Sequence, residues 1–86
     1  VSLNSLESLE YLCLANNFIT KVPKMSNLQK LVHLDLSGNL LSLGFEEFEY
    51  LKSLQVLDLT KCGMEMSIAQ FYRFVLMPLK KLSKLT

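Results

Sequence analysis

The stretch Leu31-Val32-His33-Leu34-Asp35-Leu36-Ser37-Gly38-Asn39-Leu40-Leu41 reads Leu-x-x-Leu-x-Leu-x-x-Asn-x-Leu, and the chain carries this pattern three times. The earlier instance is Leu9, Leu12, Leu14, Asn17, Ile19, and the later one is Leu54, Leu57, Leu59, Cys62, Met64. The instances begin 22 and 23 residues apart. Self-similarity at such a period marks a solenoid, in which each coil buries its apolar face only by stacking on the next.

Each Leu-x-x-Leu-x-Leu segment predicts a short strand: Tyr11-Leu12-Cys13, His33-Leu34-Asp35 and Val56-Leu57-Asp58. Side chains alternate along a strand, so Leu12 and Leu14, Leu34 and Leu36, and Leu57 and Leu59 point inward. The other face then presents Tyr11, Cys13 and Ala15, next His33, Asp35 and Ser37, and last Val56, Asp58 and Thr60. After each strand the chain turns sharply. The amides of Asn17 and Asn39 suit that turn because they both donate and accept hydrogen bonds to backbone groups. Cys62 fills the same place in the third repeat.

Between strands an apolar residue recurs every third position: Ile19, Val22, Met25, Leu28, Leu31, and then Phe45, Phe48, Leu51, Leu54. A strict period of three predicts 3₁₀ or short helical returns, with one side chain per turn facing the core. Pro23 makes the first return irregular. The second, residues 46–54, lacks Pro and Gly and accommodates a helical turn. The periodicity lapses after Met64. Ser67 is suited to cap a helix there, Pro78 bounds it, and Ile68, Phe71, Tyr72 and Val75 form its expected apolar face.

This array resembles the leucine-rich repeat family, and over about residues 3–64 it is similar to the intracellular 22-residue class. That class is typified by a regulatory subunit of protein phosphatase 1, the spliceosomal A-prime protein and the acidic leucine-rich nuclear phosphoproteins. The resemblance implies an α/β solenoid, a right-handed β-α superhelix with short parallel strands on its concave face. Residues 1–86 are then a single domain with repeats at about 9–30, 31–53 and 54–81. Leu3 and Leu6 extend the pattern upstream, as in a piece of a longer array. Tyr72-Arg73-Phe74-Val75 and the following Pro-Leu-x-x-Leu resemble the terminal cap of that class, here over 67–86. Leu82 and Leu85 equally suit the start of a fourth repeat, and both readings stand.

Composition narrows the function. The chain has 86 residues, half of them hydrophobic, and a net charge of +1. That balance provides no global steering field and argues against direct nucleic-acid binding. No apolar run approaches the roughly 18–20 residues that span a bilayer, so no membrane partner is expected. Cys13 and Cys62 lie two coils apart, roughly 10 Å at the spacing of parallel strands, beyond the reach of about 7 Å that a disulfide allows. Unpaired thiols and the absence of Asn-x-Ser/Thr favour an intracellular, cytoplasmic or nuclear, location over an extracellular one.

Catalysis has little support. His33 is the sole histidine, beside Asp35, with no matching nucleophile, and one histidine is too few for a metal site. No cofactor, metal or small-molecule substrate is expected. Asp35 and Asp58 read as an acidic stripe able to receive Lys or Arg from a partner. Arg73, Lys80, Lys81 and Lys84 make the last fourteen residues basic and offset Glu46, Glu47 and Glu49. The expected role is a scaffold that binds another protein through Tyr11, Cys13, His33, Asp35, Ser37, Val56, Asp58 and Thr60. The alternative is a structural or adaptor component of a ribonucleoprotein or multiprotein assembly.

Overall fold

A computed structural model describes residues 7–64 and 66–86. The expected upstream half-repeat at Leu3 and Leu6 lies outside these residues. Four strands, β1 (Tyr11–Cys13), β2 (His33–Asp35), β3 (Val56–Asp58) and β4 (Lys84–Leu85), form one open sheet in chain order. Every neighbouring pair is parallel, with Leu12, Leu34, Leu57 and Leu85 in register. Each coil starts in the same way. The carbonyl just ahead of the preceding strand accepts two successive amides: Glu10 from Val32 and His33, Val32 from Gln55 and Val56, and Gln55 from Ser83 and Lys84.

The returns bury the period-three residues. Val22, Met25, Leu28 and Leu31 are fully buried, as are Phe48, Leu51 and Leu54 to within 1%. The first return is a run of three-residue turns, with the Leu28 amide donating to Met25 and that of Leu31 to Leu28. The second holds a 3₁₀ helix, Phe45–Tyr50. It opens on Gly44, whose φ of +82° suits glycine and whose missing Cβ leaves room for the Val22 carbonyl. Glu47 ties this helix to the coil before it, its carboxylate accepting the Met25 amide at 3.0 Å.

The third return is longer. Helix α1 (Ile68–Phe71) starts at Ser67 with a capping box, in which Ser67 and Gln70 exchange side-chain and backbone hydrogen bonds. A π-helical turn, Tyr72–Leu76, follows and closes with the Met77 amide on Tyr72. Of the named elements, the π-helical turn packs on the 3₁₀ helix of the preceding coil and α1 packs on the turn. The expected apolar face is corrected accordingly. Val75 is buried, and Phe71 and Phe74 pack against the core, but Ile68 is 91% exposed and Tyr72 is also exposed. Beyond Pro78, Leu79 is buried and Leu82 packs against the core before β4.

The Asn turns differ between coils. Asn39 is buried, and its amide nitrogen donates to the carbonyls of Leu14 and Leu36, both at 2.9 Å. Its Oδ1 accepts the amides of Asn17 at 3.0 Å and Ile19 at 2.9 Å. One side chain therefore satisfies two coils. Among the described residues, the Asn17 side chain is exposed and donates to a backbone carbonyl of its own turn, that of Ala15. Cys62 keeps part of the Asn39 role through its thiol, which donates to the Leu36 carbonyl at 3.0 Å. Burial raises the pKa of this thiol.

Candidate protein-interaction face

With Leu34 and Leu57 buried and Leu12 packed against the core, the alternate residues form the open face of the sheet. Strand register sets two lines across it. Tyr11, His33, Val56 and Lys84 lie side by side, as do Cys13, Asp35 and Asp58. The eight candidate contact residues are thus brought onto one surface, with Ser37 and Thr60 at its turn-side margin. Lys84 joins the first line, an addition the sequence signalled only through the Leu82-x-x-Leu85 spacing.

The two lines differ in chemistry. Tyr11 stacks on His33 with ring centroids 4.4 Å apart and planes 26° from parallel, a rigid aromatic platform with its outer ring exposed. Beside it the Cys13 thiol approaches the Asp35 carboxylate at 3.7 Å, a long sulfur contact. The carboxylates also have work within the fold. Asp35 accepts the Ser37 amide at 2.9 Å, and Asp58 accepts the amide and hydroxyl of Thr60 at 2.9 and 2.6 Å. These turns follow from the repeated Asp-Leu-Ser and Asp-Leu-Thr, a signal visible in the sequence as side chains that bond the backbone two residues on. The Ser37 side chain and amide hold the Asp35 carboxyl below its ordinary pKa, helped by Cys13 and His33 and opposed by burial.

Two polar groups of this face are engaged within it. Ser37 sits against Asp35, and the His33 ring is engaged with Tyr11. Among the described residues no cluster of three or more His, Cys, Asp or Glu side chains is placed to hold a metal ion. Cys13 and Cys62 are unpaired, one exposed and one buried. Away from the sheet, Arg73 shares a shallow hollow with Glu46, Glu49, Phe74 and Pro78, so part of the C-terminal positive charge sits against the acidic middle. Among the described residues no helix is long and apolar enough to cross a membrane.

Comparison with known proteins agrees with the architecture. A model of two leucine-rich repeat copies matches residues 7–50. The chain belongs to the leucine-rich repeat family, and its parallel sheet and short helical returns are the α/β form of that fold. It is 46% identical over 82 residues to a probable inactive serine/threonine-protein kinase of Dictyostelium discoideum. The match covers 93% of this chain and 4% of that much longer protein. No solved structure matches the chain significantly. Domains of this family generally mediate protein–protein interaction.

Proposed function

We propose that the chain is a non-catalytic recognition module that binds another protein through the open, concave face of its sheet. The observation that carries this reading is the Tyr11–His33 stack on the sheet face. A preordered aromatic pair loses little side-chain entropy on binding, and aromatics dominate interface energetics. Cys13, Asp35, Ser37, Val56, Asp58 and Thr60 surround it with contacts that shape the fit. The 22-residue step from Tyr11 to His33 supports membership of the intracellular 22-residue class. Two free thiols are in keeping with an intracellular setting. The small share of the Dictyostelium protein that the chain matches supports reading residues 1–86 as one domain of a longer polypeptide, with its repeats serving to recognise partners.

The test is capture from the native cell with the intact protein, then with Tyr11→Ala. We expect one or more proteins to co-purify with the parent and to be lost at least tenfold with the variant, while the thermal melt is nearly unchanged. Equal recovery with both would place binding elsewhere on the molecule.

A further inference from the structure

The outer edge of the solenoid, where each coil turns out of its strand, carries a second set of exposed apolar side chains. Phe18 is 94% exposed, Leu40 is 70% exposed and Leu43 is 62% exposed. Phe18 and Leu40 each follow the turn residue of their own repeat, Asn17 and Asn39, and Gly63 follows Cys62 in the same way. Adjacent coils meet here through the Leu40 amide on the Ile19 carbonyl at 3.2 Å. Leu40 belongs to the middle coil and has a described coil on either side, yet it remains exposed. Stacking further coils on either end would not cover it.

The backbone explains why Phe18 points outward. The amides on either side of it, Asn17 and Ile19, both donate to Asn39 Oδ1. Converging two alternate amides on one oxygen sets Phe18 at φ +57°, a conformation costly for a bulky residue. Gly63 has the matching conformation at φ +59°, where glycine adopts it freely. Folding alone therefore favours glycine at position 18. The chain instead places an aromatic ring there, in water.

Charge indicates the occupant. Residues 15–24, 37–44 and 60–63 include Lys21, Lys24 and Lys61 and no Asp or Glu, with Glu65 following in the chain. Parallel strands step by about 4.8 Å, close to the roughly 5–6 Å between side chains three or four apart on a helix. At Gly63 the absence of a side chain lets Leu40 lie across the glycine, its Cδ2 2.9 Å from where a Cβ would stand. We propose that this edge is a docking surface for an acidic, amphipathic helix of another protein. Its apolar face would lie along Phe18 and Leu40, and its carboxylates would meet Lys21 and Lys61.

The probe is a fluorescein-labelled helical peptide with Leu at positions i, i+3, i+4 and i+7 of each two turns and Glu elsewhere, titrated with the full chain by anisotropy. Saturable binding is expected, at least tenfold weaker with Phe18→Ser/Leu40→Ser or Lys21→Glu/Lys61→Glu, and changed less than twofold by Tyr11→Ala. Phe18→Gly should bind the peptide more weakly without lowering the melting midpoint, separating contact from folding. Three results overturn the proposal: no saturable binding, equal binding by a Lys-for-Glu peptide, or undiminished binding by the Phe18/Leu40 variant. Vesicles of phosphatidylserine and phosphatidylcholine that sediment the chain in a Phe18-dependent way, without peptide binding, overturn it in favour of a membrane surface.

Discussion

Asn39 joins two coils through one amide, accepting from Asn17 and Ile19 and donating to Leu14 and Leu36. Its removal leaves several backbone groups without partners, and each buried unsatisfied group costs roughly 1–3 kcal/mol. Asn39→Ala is therefore expected to lower unfolding free energy by about 2–4 kcal/mol in urea titration. Asn39→Asp should not restore it, because a carboxylate cannot donate to the two carbonyls. Asp35 adds a pH dependence. Its folded-state pKa is lowered, chiefly by the Ser37 side chain, so the unfolded chain binds the proton more readily. That contribution is complete above the unfolded value of about 3.9 and is lost as pH falls through the lower folded value. Asp35→Asn should flatten this acid limb in melts recorded between about pH 5 and 3. The two thiols should separate kinetically. Cys13 is exposed and Cys62 is buried with a raised pKa, so a disulfide exchange reagent should label one thiol quickly in the folded chain and the second only on denaturation.

At the scale of elements, the returns are held by carboxylate and glycine positions more than by helix propensity. The 3₁₀ helix is short, and its place is set by Gly44 at one end and by the Glu47 carboxylate on the Met25 amide. Gly44→Ala introduces a Cβ at 2.8 Å from the Val22 carbonyl in a left-handed conformation. It should cost about 1–3 kcal/mol, read from chemical denaturation. Glu47→Ala should speed hydrogen exchange of the Met25 amide while leaving the strand amides slow. The acidic trio Glu46, Glu47 and Glu49 thus divides its tasks: one member fastens a neighbouring coil, and the other two line the hollow shared with Arg73.

The whole molecule is a stack in which each coil meets only its neighbours. The middle coil is then the point at which a defect is felt on both sides. Leu34 is fully buried and in register with Leu12 and Leu57. Leu34→Ala should cost about 2–5 kcal/mol and lower protection across β1, β2 and β3 together in native-state hydrogen exchange. Loss confined to β2 would mean that the coils unfold independently. At this scale the molecule also has two separate surfaces, the sheet face around Tyr11 and the turn edge around Phe18. The first is built from alternation along the strands. The second is built from the turns that end them.

The leucine spacing alone was enough to identify strands, inward side chains, period-three returns and the outward row that includes Tyr11, His33, Asp35 and Asp58. These are consequences of local periodicity: alternation in a strand and one inward side chain per tight turn. What required the tertiary structure was everything that depends on which coil lies beside which. Asn39 became a shared bridge because the Leu14 carbonyl of the coil before it lies within reach of its amide. Ile68 went to water, because the packed surface begins one turn later, where the 3₁₀ helix of the preceding coil reaches it. Phe18 took a left-handed backbone because an oxygen twenty-one residues away, on Asn39, draws in the amides on both of its sides. A local pattern cannot encode such contacts, since each is set by the neighbour's position and not by the residue's own spacing.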